Sequence, residues 1–396
     1  INEAKQLLEK IIAIKLKSKS TDEYLGDAYC LLADCLLKQN KLDDAVIYYN
    51  KATEIYNAIY GAKNVYSIDA LIGLSNTFIQ KNEFKKALEF ANQATDCTIK
   101  NKQVVYFYDH WQSQLQVLIC KNELFKSNQC NESIDAIIEQ IKAASSEAIK
   151  IKNTFISINN QLHYAEKISA LNKLGVYFLM HSKQSNQQKL MNNLLFFIEN
   201  DRANVLRNNI LSIKSSSLLP DNYKNEEASL KSKLNYFTVL RENSNDEAVM
   251  HFSINDSILY YSNKYELFIN HLEKVFPNLY KYKYAQQSIT AAEIQHYLSS
   301  NDEFLEYFND GENYYCLKIT KNKTEVLTCG NKKDIDSNIN VLSASIQDKK
   351  YNYDVAAILG NKLIHSTKEN TNWIIAADDM LNTISFDALM HTNNCV

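Results

Sequence analysis

The sequence predicts an α plus α/β fold: a right-handed α-solenoid of stacked helix pairs, then a long helical hairpin, then a partial α/β domain. Three observations predict it. Chain-breaking residues are scarce, with 7 Gly and 2 Pro among 396 residues, which favours long helices over a turn-rich β fold. A pattern of small and large apolar residues repeats in the first third of the chain. Near residue 300 the hydrophobic period changes from that of a helix to that of a strand. The predicted organisation is 1–188 for the array, 189–287 for a helical connector with its hairpin, and 288–396 for the α/β part.

The repeat is read from Tyr29, Leu32, Ala33 and Leu36 followed by Ala45, Tyr49 and Ala52. The next unit has Leu71, Leu74, Ser75 and Phe78 followed by Ala87, Ala91 and Ala94. Small residues at these places let one helix of a pair approach the other. The pattern resembles the tetratricopeptide repeat. Ala87 lies 42 positions after Ala45, longer than the usual period of roughly 34 residues. The excess falls at Tyr60–Ser67, a lengthening similar to that of kinesin light chains and many bacterial regulators. Asn40-Lys41-Leu42 and Asn82-Glu83-Phe84 supply the tight turns inside the pairs.

Ala4, Leu7, Leu8, Ile11, Ile12 and Ile14 already form a helical stripe at the start of the numbering. Residues 1–18 are therefore expected to be the second helix of a truncated repeat, in a chain that continues beyond both ends of these residues. Helical stripes go on through Tyr106–Ile119, Ile134–Ile151 and Leu162–Met180, read as degenerate repeats. Residues 189–212 predict one more helix. A loop at Pro220 precedes two long helices over Asn225–Leu240 and Asp256–Phe276, expected to be antiparallel, and Pro277 ends the second. Thr290 and Glu293 have capping-box spacing, which starts a short helix. Glu303–Phe308, Tyr314–Thr320 and Lys323–Cys329 read as three strands joined by turns at Asn309-Asp310-Gly311 and Lys321-Asn322. Helices near Ile335–Ile346 and Ala356–His365 follow. Asn372–Ala377 is a short apolar run, as expected of a buried parallel strand.

Charge and cysteine usage narrow the function classes. A net charge of -3 with 22% charged residues gives no globally basic face for nucleic acid. No apolar stretch reaches the roughly 18 residues that span a bilayer. The 8 cysteines form no CxxC pair and no Cys/His spacing suited to zinc. Cys30, Cys35, Cys97 and Cys120 lie in helical patterns and read as small buried residues. A reducing cytoplasm is the compartment this usage predicts. The scattered glycines make no phosphate loop, and no cofactor or metal is expected.

Three segments in order carry a second resemblance. Phe197–Leu206 is similar to the E-x-S-R/K-A-x-x-L helix that precedes CHAT domains. Ser288–Gln295, Glu303–Gly311 and Leu317–Thr320 resemble the opening hairpin of such a domain. Trp373–Leu381 with Ser385–Leu389 resembles its I-I-x-P-D-G-x-L…P-F-E-A-L strand and turn. CHAT proteins are caspase-like cysteine peptidases, whose chemistry needs a thiolate and an activating imidazole. The resemblance implies bacterial stress or antiviral defence, a dedicated protein substrate, and in some cases pore-forming or RNA-guided partners. Ala377-Asp378-Asp379 stands where the family has Pro-Asp-Gly, and Ser385-Phe386-Asp387 where it has Pro-Phe-Glu. The family's His-Gly and Cys segments have no counterpart here, and no catalytic residue is assigned. His391 and Cys395 read as a loop pair rather than a dyad.

Other polar clusters have plain readings beside sharper ones. Asp201-Arg202 suits a salt bridge better than a bound carboxylate or phosphate. Lys281 and Lys283 among Tyr280, Tyr282 and Tyr284 offer stacking for nucleic acid, but an amphipathic edge packed on the α/β part is preferred. Asp378 and Asp379 with Asp387 could hold a metal; loop carboxylates are the preferred reading. His110 beside Trp111, His163 and His296 stand without partners at ligand spacing. Two functions follow. One is the sensor and non-catalytic portion of a tetratricopeptide–CHAT peptidase, with a protein or peptide in the groove controlling cleavage of a protein substrate, the catalytic half lying beyond Val396 or on a second chain. The other is a scaffold that binds proteins and never cuts. Neither calls for direct nucleic-acid or membrane binding.

Overall fold

A computed structural model of the chain describes residues 1–19, 21–100, 103–104, 107–154, 158–183, 186–201, 219–243, 248–279, 289–364 and 371–389. It is mostly helical, with one small mixed sheet. Two compact units emerge, residues 1–164 with 208–285 and residues 165–207 with 286–396.

The first unit begins with five helices: α1 (Asn2–Lys17), α2 (Glu23–Lys38), α3 (Leu42–Tyr60), α4 (Ile68–Gln80) and α5 (Phe84–Cys97). Asp22 caps α2 by accepting from the Leu25 amide. Asn40 and Asn82 both take left-handed backbone with φ of 58°, a conformation asparagine tolerates, which closes the turns inside the two pairs. Each helix packs on the next. Ala33, Ala45, Ala52, Ala87, Ala91 and Ala94 are all 0% exposed, so the small residues of the repeat sit where the helices approach most closely. The long period has its cause in α3, which runs 19 residues before Gly61 and the turn of 3-10 helix at Val65–Ser67.

A two-residue hairpin follows, β1 (Ile99–Lys100) with β2 (Gln103–Val104), an element the helical reading did not contain. Then come α6 (Phe107–Lys126) and α7 (Ile134–Thr154), and α8 (Ile158–His181), within which the division between units falls. The buried Trp111 ring donates from Nε1 to the Ala144 carbonyl at 2.9 Å, tying α6 to α7. α10 (Asp221–Asn243) and α11 (Ala248–Val275) form the long hairpin. Tyr223 meets His271 and Phe276, and Phe237 meets Tyr261, so the two helices are antiparallel. Leu230, Leu234, Phe268 and Leu272 fill the space between them.

The second unit holds the rest of α8, α9 (Gln187–Asp201), the short α12 (Ala291–Tyr297), and a sheet of β3 (Asp302–Asn309), β4 (Asn313–Thr320), β5 (Thr324–Asn331) and β6 (Asn372–Ala376). α13 (Lys332–Gln347) and α14 (Tyr353–Leu363) lie between β5 and β6 in sequence. The capping box at α12 is complete, with both the Thr290 and the Glu293 side chain engaged. Sheet order is β5-β4-β3-β6, antiparallel except that β6 runs parallel to β3. A parallel neighbour requires a crossover, and α13 and α14 supply it. These two helices cover one face through Ile335, Ile339, Leu342, Leu359 and Leu363, packed on Leu305, Tyr307 and Cys316. On the other face α12 contacts β4 and α9, and Gln295 donates to the Thr320 carbonyl at 2.9 Å. A register shift lies opposite Tyr314/Tyr315, and Gly330 there has φ of 128°, a backbone that side chains resist.

Candidate functional site

The outward stripes of the first helices form one continuous face. α2 touches α4 and α4 touches α6, so the alternate helices are neighbours. α2 presents Tyr24, Asp27, Leu31 and Asp34; α4 presents Asp69, Ile72, Asn76 and Ile79; α6 presents Gln112, Leu115, Ile119 and Glu123. These are i, i+3, i+7 spacings, which keep the side chains on one side of each helix. Leu31 is 53% exposed and Tyr24 39%, unusual for such residues on a helix whose other side is core.

The face is built from beneath by tyrosines of α3. Tyr49 donates to Asp34 Oδ1 at 2.5 Å and Tyr56 to Asp27 Oδ1 at 2.6 Å. Tyr60 donates to Glu23. The acceptors run down α2 as the donors run up α3, a ladder that fixes the antiparallel register of the pair. Both deeper rings lie against glycine. A Cβ on Gly26 would stand 2.7 Å from the Tyr56 ring, and one on Gly73 2.3 Å from the Tyr49 ring. The two glycines thus leave the passage through which the hydroxyls reach the carboxylates. Burial, with the adjacent carboxylates, pushes the Tyr49 and Tyr56 hydroxyls far above the usual tyrosine range, so they remain donors at physiological pH.

Between α4 and α6 the contact is polar. Gln116 donates to Ser75 Oγ at 3.0 Å and Asn76 Oδ1 at 2.8 Å, and Ser75 lies 3.2 Å from the Cys120 thiol. Burial raises the Cys30, Cys97 and Cys120 thiols, the last two to about 11. Such thiols are protonated and unreactive. His110 is buried between Thr98 at 2.7 Å and Gln114 at 2.8 Å; burial lowers its pKa, and it is a structural residue.

In the second unit the polar side chains gather at the carboxyl ends of the parallel strands β3 and β6. Asn309 donates to Asp378 Oδ2 at 2.8 Å. Asp379 has φ of 51° and receives Lys332 at 3.0 Å, a lysine that also holds Asp336 at 2.5 Å. Asp310 caps its own turn through the Glu312 and Asn313 amides and takes the Tyr315 hydroxyl at 2.8 Å. The loop carboxylates therefore have protein partners. Asn172, Lys173, Phe197, Asp201, Phe308 and Asp378 line a cleft there with room for about one water molecule, too small for a metabolite.

Among the described residues no group of three His, Cys, Asp or Glu side chains is arranged to hold a metal ion, and no helix is long and apolar enough to cross a membrane. His296 is exposed on α12. Arg202, Tyr280–Tyr284, His391 and Cys395, and the side chain of His163, lie outside the described residues.

A family model, the tetratricopeptide repeat, matches residues 24–100. That is the stretch from α2 to β1, and it contains the tyrosine ladder apart from Glu23. No curated protein matches the chain. Tetratricopeptide repeats point to protein–protein interaction, and the first-helix face is one of the surfaces on which the matched segment meets solvent. The sequence pattern located the small residues of the repeat but missed the ladder, because its donors and acceptors are up to 37 positions apart. A tyrosine every four to seven positions on α3 was the available signal.

Proposed function

We propose that the chain is a protein-binding module whose first-helix face receives a peptide or helix of a partner. The observation that carries this is the coincidence of the tetratricopeptide match with a solvent-facing row containing Tyr24 and Leu31, a row that Ile119 of α6 extends past the matched residues. Exposed aliphatic and aromatic side chains on rigid helices give a partner anchors without an ordering cost to the host.

We further propose that the second unit is the non-catalytic opening portion of a CHAT, caspase-like cysteine peptidase domain, and that the array governs it. Three features support the reading. The hairpin β3–β4 and the parallel strand β6 stand in the order the resemblance implies. Asp379, at the glycine of the family's Pro-Asp-Gly, keeps a left-handed backbone with φ of 51°. Phe386, of the second motif, packs its ring 5.1 Å from that of Tyr307. In this reading a ligand on the array shifts the peptidase between closed and competent states. The cutting residues are supplied from outside these 396 residues. The alternative reading is a scaffold that binds proteins without cutting; the replacement of the family prolines by Ala377 and Ser385 concerns turn shape and does not decide between the two.

Determination of the mass and sequence of the full gene product tests the peptidase reading. A His-Gly and a Cys, each after an apolar strand, with cleavage of a protein substrate lost on Cys→Ala, are expected. A product lacking them leaves the scaffold.

A further inference from the structure

The first-helix face is acidic as well as apolar. Glu23, Asp27 and Asp34 on α2, Asp69 on α4 and Glu123 on α6 lie along it, interleaved with Leu31, Ile72, Leu115 and Ile119. The lysines of the same helices are Lys38 and Lys126 in their last turns and Lys121 of α6, whose charge is taken by Glu132 at 2.5 Å. Asp27, Asp34 and Asp69 converge: the charges of all three reach the buried Cys30 thiol and add to the rise that burial causes. Tyr49 and Tyr56 hold two of these carboxylates in fixed positions from the protein side. Charges held at fixed points over a low-dielectric interior focus a negative potential, and they lose little rotamer freedom when a partner arrives.

We propose that this face takes a basic amphipathic segment of another protein, one that interleaves Lys or Arg with aliphatic anchors. The inference rests on the reading that the first-helix face binds protein, and adds the chemistry of the partner. Aliphatic anchors pack on Leu31, Ile72 and Ile119, while the cations meet Asp27, Asp34 and Asp69. Charge complementarity of this kind sets specificity and association rate, so an acidic segment with the same anchors is rejected.

The test is fluorescence anisotropy of the whole chain with a synthetic Lys/Leu amphipathic peptide and its Glu/Leu counterpart. Binding of the Lys/Leu peptide alone is expected, weakening as salt is raised. Asp27→Asn with Asp34→Asn and Asp69→Asn keeps acceptor oxygens for the tyrosines and removes the charge; the dissociation constant is expected to rise about tenfold. If that variant does not fold, Leu31→Gln and the salt series on the unaltered chain carry the test. Equal binding of both peptides, binding of the Glu/Leu peptide alone, or indifference to salt and to all these variants overturns the partner chemistry. Binding of the Glu/Leu peptide that Leu31→Gln abolishes does so while leaving the protein-binding reading intact.

Discussion

The two units hold their shape by opposite means. In the repeat array the specifying contacts recur: a tyrosine hydroxyl on a carboxylate, a ring over a glycine, an alanine where helices meet. Each has a counterpart one turn or one repeat away. The sheet unit has similar devices, Tyr315 on Asp310, Tyr314 on Asp336 and the Phe197 ring over Gly175, but at no repeating spacing, and its other specifying contacts join distant positions. Tyr307 donates to the Leu363 carbonyl at 2.6 Å, Asn309 to Asp378, and Lys332 binds Asp379. The array spreads its specificity over many weak copies, whereas the sheet unit concentrates it at a few positions near the carboxyl ends of β3 and β6.

The comparison is sharpened most by glycine. Gly73→Ala puts a Cβ 2.3 Å from the Tyr49 ring, which is 0% exposed and hydrogen-bonded at its far end. The ring has nowhere to go, so a loss of about 3 kcal/mol is expected by denaturant unfolding. Gly311→Ala meets nothing within 4 Å, but its φ is 93°; the cost there is backbone strain alone, about 1 kcal/mol. Equal costs would show that packing does not distinguish the units.

Lys152 gives the next effect. It is 2% exposed on α7, and its ammonium has no hydrogen-bond partner among the described residues. Burial lowers its pKa to about 8. The folded state thus disfavours the proton that the unfolded chain keeps up to about pH 10.4. Stability therefore rises between about pH 8 and 10.4. Lys152→Met should stabilise the protein by about 2 kcal/mol at pH 7 and remove that rise, as thermal unfolding across the range will read.

At the turn after β6, Asp379→Ala loses the Lys332 contact and keeps the left-handed strain, whereas Asp379→Gly loses the contact and relieves it. Alanine is expected to be the less stable by about 1 kcal/mol in chemical denaturation. The reverse order would remove Asp379 as the structural equivalent of the family's glycine.

The smallest effect is at His110. Its lowered pKa means the neutral ring is favoured in the fold, so the stability it contributes is present above about pH 6.5 and lost as pH falls. His110→Gln should flatten the melting temperature between about pH 7 and 5 without changing it at pH 8.

What was legible in the sequence follows the same division. Repetition announced the helix pairs, since Ala45, Ala52, Ala87 and Ala94 mark helix approach wherever they recur. Local chemistry announced the Thr290–Glu293 cap and the turn at Gly311. The tyrosine ladder was not legible because no single spacing links Tyr49 to Asp34 and Tyr60 to Glu23; the antiparallel packing of α2 and α3 must be known first. The clasp of Asn309 on Asp378 was hidden for a stronger reason, since 69 positions separate its members. For the same reason the sequence could favour loop carboxylates over a metal site at Asp378 and Asp379 without naming their partners, Asn309 and Lys332. The β1–β2 hairpin escaped because two-residue strands have no measurable alternation.

The most direct test of the account is the hydrogen-exchange footprint of the Lys/Leu peptide on the intact chain. Protection concentrated on α2, α4 and α6, and lost with Asp27→Asn, Asp34→Asn and Asp69→Asn together, is the predicted result. Protection centred on α3 and α5, or on residues 289–389, would contradict the assignment of the first-helix face.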